Sequence, residues 1–171
     1  MRAKNLAPAT LDDCNRVSAR YPGLRSSGFE ITPAIPIPTL SDLRGSRAPQ
    51  LHLSAPIAAL GVRKQIAAGR LFFQETCKRT KTNRRWYAVN ELRREIERWI
   101  NTSQFLARDI RLPHISDGAV IAAAYLEGFA IKRESEKLEI CISLSFTPEY
   151  RRLRNKRLRD RARLYSYIFG D

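Results

Sequence analysis

The hydrophobic pattern changes period several times along the chain, and each change predicts an element. Residues 1–50 show no sustained period and hold six of the nine prolines: Pro8, Pro22, Pro33, Pro36, Pro38 and Pro49. The stretch Thr32-Pro33-Ala34-Ile35-Pro36-Ile37-Pro38 cannot carry a helix, because proline lacks a backbone donor and drives its neighbours towards extended geometry. A flexible Pro-rich arm is therefore expected over 1–50, with Ile31, Ile35 and Ile37 available to dock on a protein partner. From Ala55 a helical spacing sets in (Ile57, Leu60, Lys64, Ala67 or Ala68), which predicts a helix opened by Pro56 and stopped by Gly69. Leu71-Phe72-Phe73 and Arg85-Trp86-Tyr87-Ala88-Val89 then read as two strands of a hairpin around a polar, basic turn.

The next signals are stronger. Val89, Leu92, Ile96, Trp99, Ile100 and Leu106 recur at helical spacing, with Asn90 as expected N-cap and Glu91, Arg94, Glu95 and Arg98 decorating the solvent side. Ser116 and Gly128 bracket a second helix in which Ala119 to Leu126 leave hardly any polar face, so it is expected to be buried. Phe129 and Ile131 alternate with Ala130 and Lys132, and Leu138, Ile140, Ile142, Leu144 and Phe146 alternate with polar neighbours. This predicts a hairpin with one face on the core and the other in water. Thr147, Pro148 and Glu149 open a last helix, along which Leu153, Leu158, Leu164, Tyr165 and Ile168 form a thin apolar seam.

These elements define an α+β protein: a small helical domain with one or two antiparallel β-hairpins over residues 51–147, and a basic C-terminal helix over 148–171. The order helix, helix, hairpin in 90–146 is that of a winged helix. In that arrangement the second helix reads the groove, but Ala119 to Leu126 offer no side chain able to read a base edge.

Charge changes the picture more than composition does. With 31 Lys plus Arg against 17 Asp plus Glu, the formal charge is +14. Phosphate neutralisation by Lys and Arg releases condensed counterions, so a surplus of this size points to nucleic acid, DNA before RNA. The charge is also local. Arg151, Arg152, Arg154, Lys156, Arg157, Arg159, Arg161 and Arg163 crowd the last helix against the single acid Asp160. Lys78, Arg79, Lys81, Arg84 and Arg85 fill the 78–85 turn beside Trp86, a pairing of cations and aromatic suited to a sugar–phosphate backbone or an unpaired base. These fourteen side chains are the candidate nucleic-acid contacts. The rival expectation is a protein-interaction module or inhibitor that engages an acidic partner through the same arginines.

Other chemistry finds little support. Cys14, Cys77 and Cys141 are odd in number and widely spaced, so neither a disulfide framework nor a zinc site is expected, and no cofactor is implied. A reducing, cytoplasmic setting fits them. His114, Ser116 and Asp117 are neighbours in sequence only. Glu127, Glu134, Glu136 and Glu139 are the acids a metal-dependent nuclease would draw on, a minor alternative to a non-enzymatic role. No apolar run approaches the ~20 residues of a membrane span.

Residues 57–100 carry a partial resemblance. Ala59-Leu60-Gly61-Val62, Ile66-Ala67-Ala68-Gly69-Arg70-Leu71, Arg85-Trp86-Tyr87-Ala88-Val89 and Leu92 to Trp99 together resemble the excisionase-like winged-helix domains of mobile elements. Those domains show an LGV turn, an I-x-x-G helix ending, a basic wing and a closing helix that ends in Trp. Only three residues separate Val62 from Ile66, so no base-reading residue is carried over. The resemblance implies a DNA-binding regulator or accessory factor.

Overall fold

The computed structural model describes residues 7–29, 55–79, 85–102, 114–134 and 139–169. Within them the chain runs α1 (Leu11–Arg20), β1 (Leu24–Arg25), β2 (Gly28–Phe29), α2 (Leu60–Thr76), β3 (Cys77–Lys78), β4 (Trp86–Ala88), α3 (Val89–Thr102), α4 (Asp117–Leu126), β5 (Ala130–Glu134), β6 (Glu139–Ser143), β7 (Ser145–Phe146) and α5 (Pro148–Phe169). This is the α+β organisation that the pattern predicts.

Helix α4 lies at the centre. Every residue from Gly118 to Ala124 is buried, and α1, α2, α3, β2 and β5 surround it. Its small side chains let neighbours come close: a Cβ on Gly69 of α2 would sit 2.9 Å from Ala123 Cβ. That close approach explains why Gly69 does not end a helix as expected. A mid-helix glycine costs about 1 kcal/mol relative to alanine, and here the loss is offset by packing against α4. Helix α2 starts at Leu60, not near Pro56, and keeps one buried face through Val62, Ile66, Gly69, Phe73 and Thr76.

The expected strand at Leu71-Phe72-Phe73 is consequently part of α2. A strand would send Phe72 and Phe73 to opposite faces, whereas both are fully buried and meet edge-to-face at 5.7 Å. Strand β4 pairs instead with β6, in the register Trp86↔Ser143, Tyr87↔Ile142 and Ala88↔Cys141. The β5–β6 hairpin forms as expected, with Ile131↔Ile142 and Lys132↔Cys141, giving the sheet order β4-β6-β5. Its second face is not open to water along β6, where Cys141 and Ser143 are buried as well as Ile142.

The N-terminal arm is also corrected. Residues 7–29 fold onto the core, because Ala9, Cys14, Val17 and Leu24 bring an apolar face of their own. Thr10 caps α1 through a reciprocal box: its hydroxyl accepts from Asp13 N at 3.1 Å and Asp13 Oδ2 accepts from Thr10 N at 3.4 Å. Arg70 ties α1 to the centre by reaching Asp13 at 2.9 Å and Glu127 at 2.7 Å. The proline stretch at 32–38 lies outside the described residues.

Where this segment meets α4, Gly118 is obligatory. A Cβ there would fall 1.7 Å from the Arg25 carbonyl oxygen, and Gly118 N donates to Ser26 O at 2.9 Å. The obstacle is backbone, so Gly118→Ala must push the N-terminal segment off α4. A loss of about 2 kcal/mol or more is expected, in the range of severe overpacking. Limited proteolysis should then cut within residues 7–29 first; cleavage unchanged from wild type would contradict this packing.

Burial sets the chemistry of the cysteines, which are free and buried. Desolvation raises the Cys77 thiol from its ordinary 9.0 to about 12, against a smaller opposing effect from the Thr76 hydroxyl. The fold favours the protonated form, so this stabilisation is complete below pH ~9 and is lost as pH rises towards 12. Urea midpoints should fall from pH 9 to 11, and Cys77→Ala should flatten part of that fall.

Candidate nucleic-acid interface

The two basic clusters, far apart in sequence, are brought to one edge of the molecule. Strand β3 pairs antiparallel with β7, placing Lys78 opposite Ser145 and Cys77 opposite Phe146. At the other end of the 78–85 turn, Leu144 N donates to Arg85 O at 3.1 Å. Both ends of the turn are thus stitched to residues 144–146, immediately before α5 begins. Arg151 reaches back across this junction, donating to Ser145 Oγ at 3.1 Å and to Phe146 O at 3.2 Å.

Among the described residues, helix α5 is held by its first turns. Tyr150 is buried against Phe72 and Phe146, with ring centroids 5.5 and 5.2 Å away. Its hydroxyl donates to Glu95 Oε2 at 2.9 Å. Glu95 is expected on the solvent side of α3, but its side chain is only 8% exposed because α5 covers it. Three arginines converge on that carboxylate: Arg98 at 2.6 Å, Arg157 at 3.4 Å and Arg154 at 3.5 Å. Arg154 also stacks over Phe146 and Arg157 over Tyr150. Burial and the neighbouring Glu95 charge push the Tyr150 phenol well above its ordinary range, so it remains a donor.

Beyond Arg157 the helix leaves the body. Leu158, Leu164, Tyr165 and Tyr167 are 49, 58, 52 and 88% exposed. Leu153, Leu158, Leu164 and Tyr165 of the expected apolar seam therefore do not dock the helix, the Ile168 side chain lying outside the described residues; Tyr150 and the Glu95 cluster hold it.

This anchoring sorts the candidate contacts. Arg154 and Arg157 neutralise Glu95, Arg151 braces the junction, and Arg161 lies over the Tyr165 ring at 5.4 Å. Arg152, Lys156, Arg159 and Arg163 are exposed and make no ion pair among the described residues. At ~100° per residue these four fall within an arc of about 60°, on the side of α5 away from Glu95. From the turn, Lys78, Arg79 and Arg85 are exposed, with Arg79 close to Gly128 at the end of α4. Lys81 and Arg84 lie outside the described residues. Trp86 is half-buried and one face of its ring is covered by Lys132 Nζ at 4.8 Å.

The anchor itself is testable. Glu95→Gln keeps the shape but removes the charge that gathers the arginines, leaving cations to repel one another. Amide exchange across α5 should accelerate at least tenfold while α2 and α4 stay protected. Unchanged protection of residues 150–157 would show that the aromatic contacts alone hold the helix.

Of the residues considered for catalysis, His114, Ser116 and Asp117 each engage a different partner, Glu134 and Glu139 face each other across β5 and β6, and Glu136 lies outside the described residues. His114 Nδ1 lies 3.0 Å from Glu97, Ser116 donates to Gln65 Oε1 at 2.7 Å, and Asp117 pairs with Arg93 at 3.2 Å. Glu127 is held by Arg70 and Gln74. Among the described residues no three of His, Cys, Asp and Glu are grouped to hold a metal ion, and no helix is long and apolar enough to cross a membrane.

Sequence reasoning missed Glu95 and the meeting of the two clusters. It also missed the N-terminal cap, although Thr10-x-x-Asp13 before an apolar period was a readable signal. Comparison with family models, with curated proteins and with solved structures finds no match to this chain. The fold and the basic edge define it only as a small α+β protein with a projecting cationic helix.

Proposed function

We propose that this protein is a non-enzymatic nucleic-acid-binding factor that grips the phosphate backbone through α5 and the 78–85 turn. The observation that supports it most is the convergence of both basic clusters on residues 144–151, together with four cations on α5 that no described residue neutralises. Phosphates would supply the missing counter-charge, and Arg79 and Lys78 would extend the contact beyond the helix. DNA is favoured over RNA. Apart from the two-residue β3, which pairs with β7, the succession α2, β4, α3, α4, β5, β6 has the order of a winged helix, with β4 added to the hairpin. The helix that usually reads bases, α4, is here sealed in the core, so binding would move to α5. A regulator or accessory factor of the kind mobile elements carry is consistent with that arrangement, and the free, buried cysteines fit a cytoplasmic setting.

A second reading has one observation in its favour. Leu153, Leu158 and Leu164 are exposed beside the arginines on α5, as suits a helix that enters a groove on an acidic protein. Titration of the full chain against random duplex DNA, single-stranded DNA and RNA at ~50 mM salt separates the two, since phosphate contacts are strongest at low salt. Binding that weakens steeply with salt supports the first reading; absence of binding to all three rejects it.

A further inference from the structure

We propose that α5 is a major-groove helix for duplex DNA and that Asn155 is the residue on it that selects a base. The inference rests on the nucleic-acid reading and goes beyond it, from backbone contact to sequence readout.

The first ground is shape. From Leu158 to Tyr167 the exposed apolar and aromatic positions point to several sides of the helix, so its outer half is free to be surrounded. A helix with side chains is about 10–12 Å across, and the major groove of B-form DNA is about 12 Å wide and admits one. The A-form major groove is too deep and narrow for this, and a single strand has no groove at all. The second ground is the distribution of charge. Arg159 and Arg163 face one side of the outer helix while Arg161 faces the other. Cations on both flanks suit phosphates on both walls of a groove better than a single flat backbone.

The third ground is Asn155. It is exposed and lies in sequence between Arg152 and Lys156, at the margin of the face those cations form, the whole set occupying an arc of about 100°. Asparagine presents a donor and an acceptor side by side, the pattern that matches adenine N6 and N7. Arginine matches guanine O6 and N7 in the same bidentate manner. Asn155 is the only uncharged side chain of this kind between Arg151 and Arg163. With Arg152, Lys156, Arg159 and Arg163 on phosphates, Asn155 at the margin of their face would meet a base edge.

The test is selection of bound sequences from a randomised duplex pool by the full chain, followed by affinity measurement on the enriched duplex. We expect an enriched site containing an adenine that Asn155→Ala no longer prefers. The variant should bind that site roughly 5- to 100-fold more weakly, the range of one good base contact, with the salt slope unchanged because no charge is removed. Asn155 is exposed, so the substitution leaves the fold intact. Duplex binding with no enriched site, or an adenine preference that survives Asn155→Ala, would overturn the groove assignment and leave backbone binding standing. Equal affinity for RNA duplex or single strand would do the same. No binding to any nucleic acid would remove the underlying reading as well.

Discussion

Replacing Arg152, Lys156, Arg159 and Arg163 together with Gln is expected to make the salt dependence of duplex binding shallower by about 3 to 4 in d log K/d log[salt]. Each phosphate neutralised on B-form DNA contributes ~0.9 to that slope, and these four side chains lie on one exposed face with no ion-pair partner among the described residues. The change should be local to the face, not a consequence of net charge. Removing the same number of charges at Arg16, Arg20, Lys64 and Arg94, which are also exposed, should alter the slope by less than half as much. Equal effects from both sets would mean that the protein binds through its overall +14 charge and that α5 has no special part. Stability should hardly move, since exposed charges contribute little to the fold.

Phe72→Ala is expected to cost about 3–5 kcal/mol, the usual toll for emptying a buried aromatic site. The ring is fully buried and edge-on to Phe73, Trp99 and Tyr150 at 5.7, 5.7 and 5.5 Å, with Phe146 at 6.5 Å. It therefore joins α2, α3, β7 and the root of α5, and no single neighbour can collapse into the space without releasing another. Urea denaturation measures the loss directly. Because Tyr150 loses one of its two aromatic partners, α5 should also exchange faster under native conditions. A loss below ~1 kcal/mol would show that the aromatic cluster is not the keystone proposed.

The elements legible in the sequence were those whose local signals agree with their surroundings. Helix α3 carries a regular apolar stripe, α4 is apolar on all sides, β5 and β6 alternate, and Thr147-Pro148 opens α5 as expected. Helix α2 is hidden in the sequence because its glycine serves packing. Gly69 looks like a stop until Ala123 is placed against it, and Phe72-Phe73 resembles a strand until both rings are seen in one core. Glu95 reads as solvent-facing because a charged residue on a helix normally faces water; the docking of α5 supplies the Tyr150 hydroxyl and two of the three arginines that allow its burial. The meeting of the 78–85 turn with α5 was illegible for a similar reason. It depends on the β3–β7 pairing, two residues on each strand and nearly seventy apart in sequence. The candidate cations were visible in the composition; which of them remain unneutralised is a property of the fold.

The claim that α5 and the 78–85 turn form one nucleic-acid surface is tested most directly by lysine footprinting. The full chain is labelled with an amine-reactive reagent, with and without duplex DNA, and each lysine is read by mass spectrometry. Lys78, exposed on β3, and Lys156, exposed on α5, should be protected together, while Lys64 on the exposed face of α2 keeps its reactivity. Protection of Lys156 without Lys78 would split the proposed surface. Protection of Lys64 to the same degree, or of none of the three, would contradict it.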